Sequence, residues 1–258
     1  MGINIPKSST VNENTFAVII AIENYDEVSD VPFAKNDGEI FKEYCVQTLG
    51  LPDNQVRMFP NATLNNIKSA ITWMKNVAKS HTDANIIFYY AGHGIPDESS
   101  KSAYLLPKDG SGSDATTGYK LDDLYTTLGA LPAKSVIVFL DACFSGAKRN
   151  QSGDMIVAAR AVAIAAKEGE PTGNTVVFSA AQGDETAYPY REKGHGIFTY
   201  FILKKLQETH GEATLGELSD YVTKEVRSKS VLNNPKQQTP TVTPSATMEE
   251  NWKNLKLK

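Results

Sequence analysis

The sequence predicts an α/β protein with a mostly parallel central sheet of about six strands and right-handed crossovers. Two observations point there. Short apolar, β-branched runs recur along the chain, and segments with helical spacing separate most of them. The runs are also continuously apolar, as strands covered on both faces are, where one-sided strands would alternate with polar residues.

Phe16–Ile22 is the first such run. A polar loop leads from it to Ala34–Leu49, where Ile40, Phe41, Tyr44 and Cys45 recur at helical spacing. Gln55–Phe59 is a short second strand, and Thr63 is placed as the N-cap of a helix carrying Leu64, Ile67, Ile71, Met74 and Val77. Asn85–Tyr90 is the third strand and runs into Ala91-Gly92-His93-Gly94. Ile95–Gly118 reads as a long polar stretch, interrupted by apolar Ala103–Pro107. The helical pattern Leu121–Leu131 precedes the strand Ser135–Leu140, which stops at Asp141-Ala142-Cys143. Beyond it, the small, Ala-rich segment reaching Lys167 reads as partly helical, and Glu168–Gly173 as a loop. Thr175–Ala180 is a strand, Gly196–Leu206 and Leu215–Val226 are helices, and Thr239–Val242 is a last short strand. Asn251–Lys258 reads as a tail, loose or docked.

Composition bounds the function. A chain of 258 residues with 41% hydrophobic and 22% charged residues can bury a full core and reads as globular. A net charge of −4 gives no electrostatic reason to expect a nucleic-acid partner. No stretch approaches the roughly 18 apolar residues of a membrane span, and Met1–Thr15 lacks the basic-then-apolar order of a secretory signal. Pro6 stands where a myristoylation start wants Ser or Thr. The expected compartment is therefore the cytoplasm, unless an upstream segment is missing. Two cysteines, Cys45 and Cys143, make no disulfide framework, and Cys45 reads as a small buried side chain of a helix.

Cys143 is different because it sits where a buried strand ends beside a turn, at the sheet edge where open α/β folds place their chemistry. A thiol attacks a carbonyl as thiolate, so it needs a base. Of the four histidines only His93 sits at a strand end, between glycines. If the two strands are neighbours, His93 and Cys143 emerge together, and the N–H groups of Gly94 and Cys143 form an oxyanion hole. The bland alternative is a His in a Gly turn and an incidental Cys.

Tyr90-Ala91-Gly92-His93-Gly94 and Asp141-Ala142-Cys143-Phe144-Ser145-Gly146 resemble the two catalytic motifs of caspase-like cysteine peptidases, most of all metacaspases and their bacterial relatives. In caspases the His precedes the Cys by about 50 residues, as it does here. AVIIAIENY, Asn36-Asp37, VFSAAQGDETA and GIFTYFILKKL follow the family's order. The resemblance implies a caspase-like three-layer α/β/α sandwich over residues 16–245, with an extension at 1–15 and a tail at 246–258. It implies that His93 is the general acid/base and Cys143 the acyl-forming nucleophile. Asp37 and Asp141 match acids with which metacaspases select Arg or Lys before the scissile bond, and Asp184 is a further pocket candidate. The alternatives are a helix-terminus acid for Asp37, an orienting carboxylate for Asp141 and an exposed loop acid for Asp184.

Two departures stand out: Ala91 replaces a common Ser and so removes a possible pocket hydroxyl that bears on basic selectivity, and Phe144 replaces a common His, which argues for a bacterial-type relative. Asp109, Asp122 and Asp123 fall where calcium-dependent relatives place ligands, although Asn150 stands where a further acid is expected. The chemistry itself requires no cofactor. Lys148 and Arg149, just past the Cys, are the candidates for self-cleavage. The expected partners are protein or peptide substrates with Arg or Lys before the cut bond, acted on by a monomer, with neither nucleic acid nor membrane. The competing readings are an inactive scaffolding module on the same fold and a peptidase of non-basic specificity.

Overall fold

In chain order the elements are β1 (Thr15–Ala21), α1 (Ala34–Gln47), β2 (Val56–Pro60), α2 (Leu64–Ser80), β3 (Asn85–Ala91), β4 (Gly94–Pro96), β5 (Ala103–Leu105), β6 (Tyr119–Lys120), α3 (Leu121–Gly129), β7 (Ser135–Asp141), β8 (Thr175–Ser179), β9 (Pro189–Tyr190), β10 (His195–Gly196), α4 (Ile197–Thr209), α5 (Leu215–Asn233) and β11 (Thr241–Pro244). This computed structural model describes residues 1–144, 169–183, 185–234, 236–249 and 251–258. The Ala-rich segment predicted to be partly helical lies outside them.

Six strands form the central sheet in the order β11-β8-β7-β3-β1-β2. β1 pairs parallel with β2 and β3, β3 with β7, and β7 with β8, while β11 closes one edge antiparallel to β8. Although the central strands are apolar throughout, their alternate residues enter different cores. Ala17, Ile19, Ile87, Tyr89, Ile137 and Phe139 pack under α1, α4 and α5. Val18, Ile20, Ile86, Phe88, Val136 and Val138 pack under α2 and α3. The result is the three-layer α/β/α sandwich the sequence implied.

Thr63 caps α2 as expected, and the capping box is reciprocal with Asn66. A second box, Thr214 with Glu217, starts α5. That helix runs to Asn233, past the expected Val226, because its last turns carry exposed Val231 and Leu232 and so lack the amphipathic signal. The stretch read as polar loop after His93 holds the small antiparallel sheet β4-β5-β6, whose strands are too short to show a period. The tail is docked: Trp252 and Leu257 are buried, the Trp252 ring meets Phe178 edge-on at 6.1 Å, and Leu215 N–H donates to the Leu255 carbonyl. Cys45 lies fully buried in α1, and that burial pushes its thiol pKa up.

Candidate active site

β3 and β7 run side by side in register, with Ala91 opposite Asp141, and the Gly92 N–H donates to the Asp141 carbonyl at 3.2 Å. His93 and Cys143 each lie two residues beyond that pair, so both leave the sheet at the same carboxyl edge. Gly94 shows how closely the two loops approach. A Cβ there would lie 2.7 Å from the Cys143 carbonyl oxygen and collide with the Phe144 ring. Only glycine lets the main chain beside His93 touch the main chain beside Cys143.

The His93 Nε2 atom is 2.7 Å from the Ser29 carbonyl oxygen, and its ring packs on Tyr25 with centroids 4.8 Å apart. Because a carbonyl only accepts, Nε2 carries the hydrogen in the neutral ring, which makes Nδ1 the basic nitrogen. Ser29 belongs to the loop after β1. That loop is fixed by Asp30, which accepts from the Asn24 side chain and the Tyr25 N–H, and by Asn61, which accepts from the N–H groups of Glu23 and Asn24. Cys143 is 6% exposed, so its sulfur sits at the base of the edge rather than on the surface.

Beside this pair is a cleft walled by Val31, Pro32, Ala91, Ala142 and Tyr188, with Asp37 and Asp141 among its lining. The two aspartates, placed by α1 and by the end of β7, are 2% and 8% exposed. Asp37 Oδ1 is 2.5 Å from His195 Nδ1, and its Oδ2 accepts from the Gly196 N–H at 2.8 Å. Asp141 Oδ2 accepts from the Thr199 hydroxyl at 2.7 Å and from its N–H at 3.3 Å. A Cβ on Gly196 would lie 2.5 Å from Asp141 Oδ2 and 3.2 Å from Asp37 Oδ2, so this glycine is wedged between the carboxylates. Burial, with Asp141 adding to it, holds the Asp37 carboxyl well above its ordinary range, and burial lowers His195 to about 4. The pocket is thus acidic in composition but resists carrying its full charge.

His195 is the residue that sequence reasoning missed. Gly194-His195-Gly196 repeats the Gly-His-Gly string around His93, and that repeat was the available signal. The predicted calcium ligands are not brought together. Asp109 accepts from the Leu64 N–H at the start of α2, at 2.9 Å, whereas Asp122 and Asp123 lie in the first turn of α3, where Asp122 pairs with Lys120 at 3.3 Å. Among the described residues no group of three or more His, Cys, Asp or Glu is placed to hold a metal ion. The chemistry of a Cys-His pair needs no metal. Asp184, Lys148, Arg149, Asn150 and Ser145 lie outside the described residues. Among the described residues, no helix is long and apolar enough to cross a membrane.

Comparison with solved structures finds the same fold. Caspase-1 from Spodoptera frugiperda superposes with a TM-score of 0.61 at 16% identity, over 95% of this chain and 92% of that one. A protein from Geobacter sulfurreducens superposes with a TM-score of 0.64, also at 16% identity, over 94% of this chain and 97% of that one. No curated protein matches in sequence. The caspase domain family matches residues 14–250, which takes in both strand-end motifs and both pocket aspartates, and the chain belongs to that family of cysteine peptidases.

Proposed function

We propose that the protein is a cysteine endopeptidase that cleaves after Arg or Lys, with Cys143 as nucleophile and His93 as its base. The observation that carries this reading is the in-register emergence of His93 and Cys143 beside a cleft that contains the buried carboxyls of Asp37 and Asp141. The Cys143 proton passes to His93 Nδ1 as the sulfur attacks the scissile carbonyl carbon. The resulting oxyanion is stabilised by the main-chain N–H groups of Gly94 and Cys143. As the intermediate collapses, His93 returns the proton to the leaving amine and the acyl group stays on sulfur. Water, deprotonated by His93, then releases the acid and restores the thiol. A substrate guanidinium or ammonium in the cleft is held by charge-assisted hydrogen bonds, and an acidic side chain is repelled. Lys148 and Arg149 follow the nucleophile closely enough to be cut by the same chemistry.

The test is a set of fluorogenic peptides that differ only in the residue before the scissile bond, assayed with wild type, Cys143→Ala and His93→Ala, with and without calcium. Arg and Lys peptides should be cleaved by wild type alone, each substitution lowering kcat by roughly 100-fold or more. Preferred cleavage after Asp would refute the assigned pocket. Absence of any Cys143-dependent cleavage would refute the peptidase. Self-cleavage is read by mass spectrometry of wild type and Cys143→Ala after prolonged incubation, and equal integrity of the two removes that part of the proposal.

A further inference from the structure

We propose that Tyr25 and Tyr90 are positioning residues for His93, gripping its main-chain N–H and C=O so that its imidazole is held at a fixed height above the sheet edge. The inference rests on the reading of His93 as the base. The His93 N–H donates to the Tyr25 hydroxyl oxygen at 2.7 Å. Tyr90 donates to the His93 carbonyl at 2.7 Å, and it shares that hydrogen with the Leu106 carbonyl at 3.0 Å. Both main-chain polar groups of His93 are therefore held by tyrosine hydroxyls, one from the loop after β1 and one from β3.

The surroundings are built for these two bonds. A Cβ on Gly92 would stand 2.6 Å from the Tyr25 hydroxyl and 2.9 Å from that of Tyr90, so the glycine before His93 makes room for both. Tyr90 is fully buried in β3 and Tyr25 is 9% exposed. Tyr25 also shares its loop with Ser29, whose carbonyl binds the imidazole. A single loop therefore fixes His93 twice: Tyr25 takes the main chain and Ser29 takes the ring. A displacement of the base by about 1 Å is enough to cost roughly 100-fold in rate.

The experiment uses the full chain with Tyr25→Phe, Tyr90→Phe and the double variant, each retaining the aromatic ring. Each single variant should lower kcat on an Arg peptide by about 10- to 100-fold with KM within about twofold. The acidic limb of the kcat/KM pH profile should shift, because the environment of the base has changed. Because both bonds hold the same residue, their losses should couple, and the double variant should lose no more than about threefold beyond the worse single variant. Exchange of the His93 amide, read by NMR, should quicken in Tyr25→Phe, and this arm needs no turnover. The His93 carbonyl also accepts from the Leu106 N–H at 3.0 Å, so Tyr90→Phe does not orphan it. If Tyr90→Phe nonetheless fails to fold, Tyr25→Phe alone decides. An active wild type whose Tyr25→Phe variant keeps its kcat and pH profile overturns the inference and leaves the peptidase standing. Losses that multiply in the double variant overturn the joint positioning of His93 in favour of two unrelated effects. A wild type that cleaves no peptide overturns both readings.

Discussion

Replacing Asp141 by Asn changes one atom in the pocket and should move activity and stability in opposite directions. The Asn carbonyl oxygen can still accept from the Thr199 hydroxyl and N–H, so the local bonds survive. What disappears is one negative charge toward a bound guanidinium and one like charge beside Asp37. A hydrogen bond to a charged group contributes about 1.5–3 kcal/mol. At about 1.4 kcal/mol per tenfold, kcat/KM for an Arg peptide should fall roughly 10- to 140-fold. The same change removes a cause that holds the Asp37 carboxyl up. The folded state then carries less buried repulsion, and Tm should rise, at about 2–4 °C per kcal/mol for a chain of this size. The assay pairs kcat/KM on Arg and neutral Gln peptides with thermal melts of both proteins. A loss within about threefold on the Arg peptide would refute the reasoning, and so would an equal loss on the Gln peptide.

Asp37→Asn tests the other carboxyl through pH. A carboxyl raised in the folded state contributes stability that is complete below its unfolded value near 3.8 and is lost as pH rises through the raised value. The variant does not titrate there, so its Tm advantage over wild type should grow as pH rises from about 3.8 through the raised value. Over the same range the wild-type preference for Arg peptides should strengthen as Asp37 ionises, and in the variant this limb should vanish. Gly94→Ala should lower kcat by about 100-fold and lower Tm as well, because the new methyl must push the Cys143 main chain and the buried Phe144 ring aside. Thr63→Ala removes the cap of α2 and should cost about 1 kcal/mol in a chemical denaturation curve, with peptide cleavage unchanged.

The parts legible in the sequence are those written in local chemistry. β1, β3, β7 and β8 read directly because Val, Ile and Phe crowd into runs bounded by turns, and the meeting of His93 with Cys143 follows once β3 and β7 are neighbours. Asp37 and Asp141 were reachable through a charge argument joined to a family resemblance, since neither looks unusual in its own segment. His195 was not reachable that way. Its partner lies 158 residues away, and the apolar pattern that follows it reads as the start of a helix. The Tyr25 hydroxyl was hidden for a similar reason: it closes a strand-like run, and it accepts from the main-chain N–H of His93, 68 residues away. The calcium expectation gained no support: among the described residues Asp109 serves α2 while Asp122 and Asp123 begin α3.

The parallel pairing of β3 with β7, residue for residue from Asn85 opposite Ser135 to Ala91 opposite Asp141, acts as a ruler for the reaction. Apart from Tyr90 and Asp141, most side chains along these strands can be exchanged for others of similar volume, because they fill the two cores. The number of residues cannot change. One residue added to either strand would shift its loop by about 3.3 Å and turn the next side chain to the opposite face. Insertions should therefore be tolerated in the loops and forbidden in these two strands, so the spacing that matters for chemistry is counted along the main chain and is indifferent to most of the residues that occupy it.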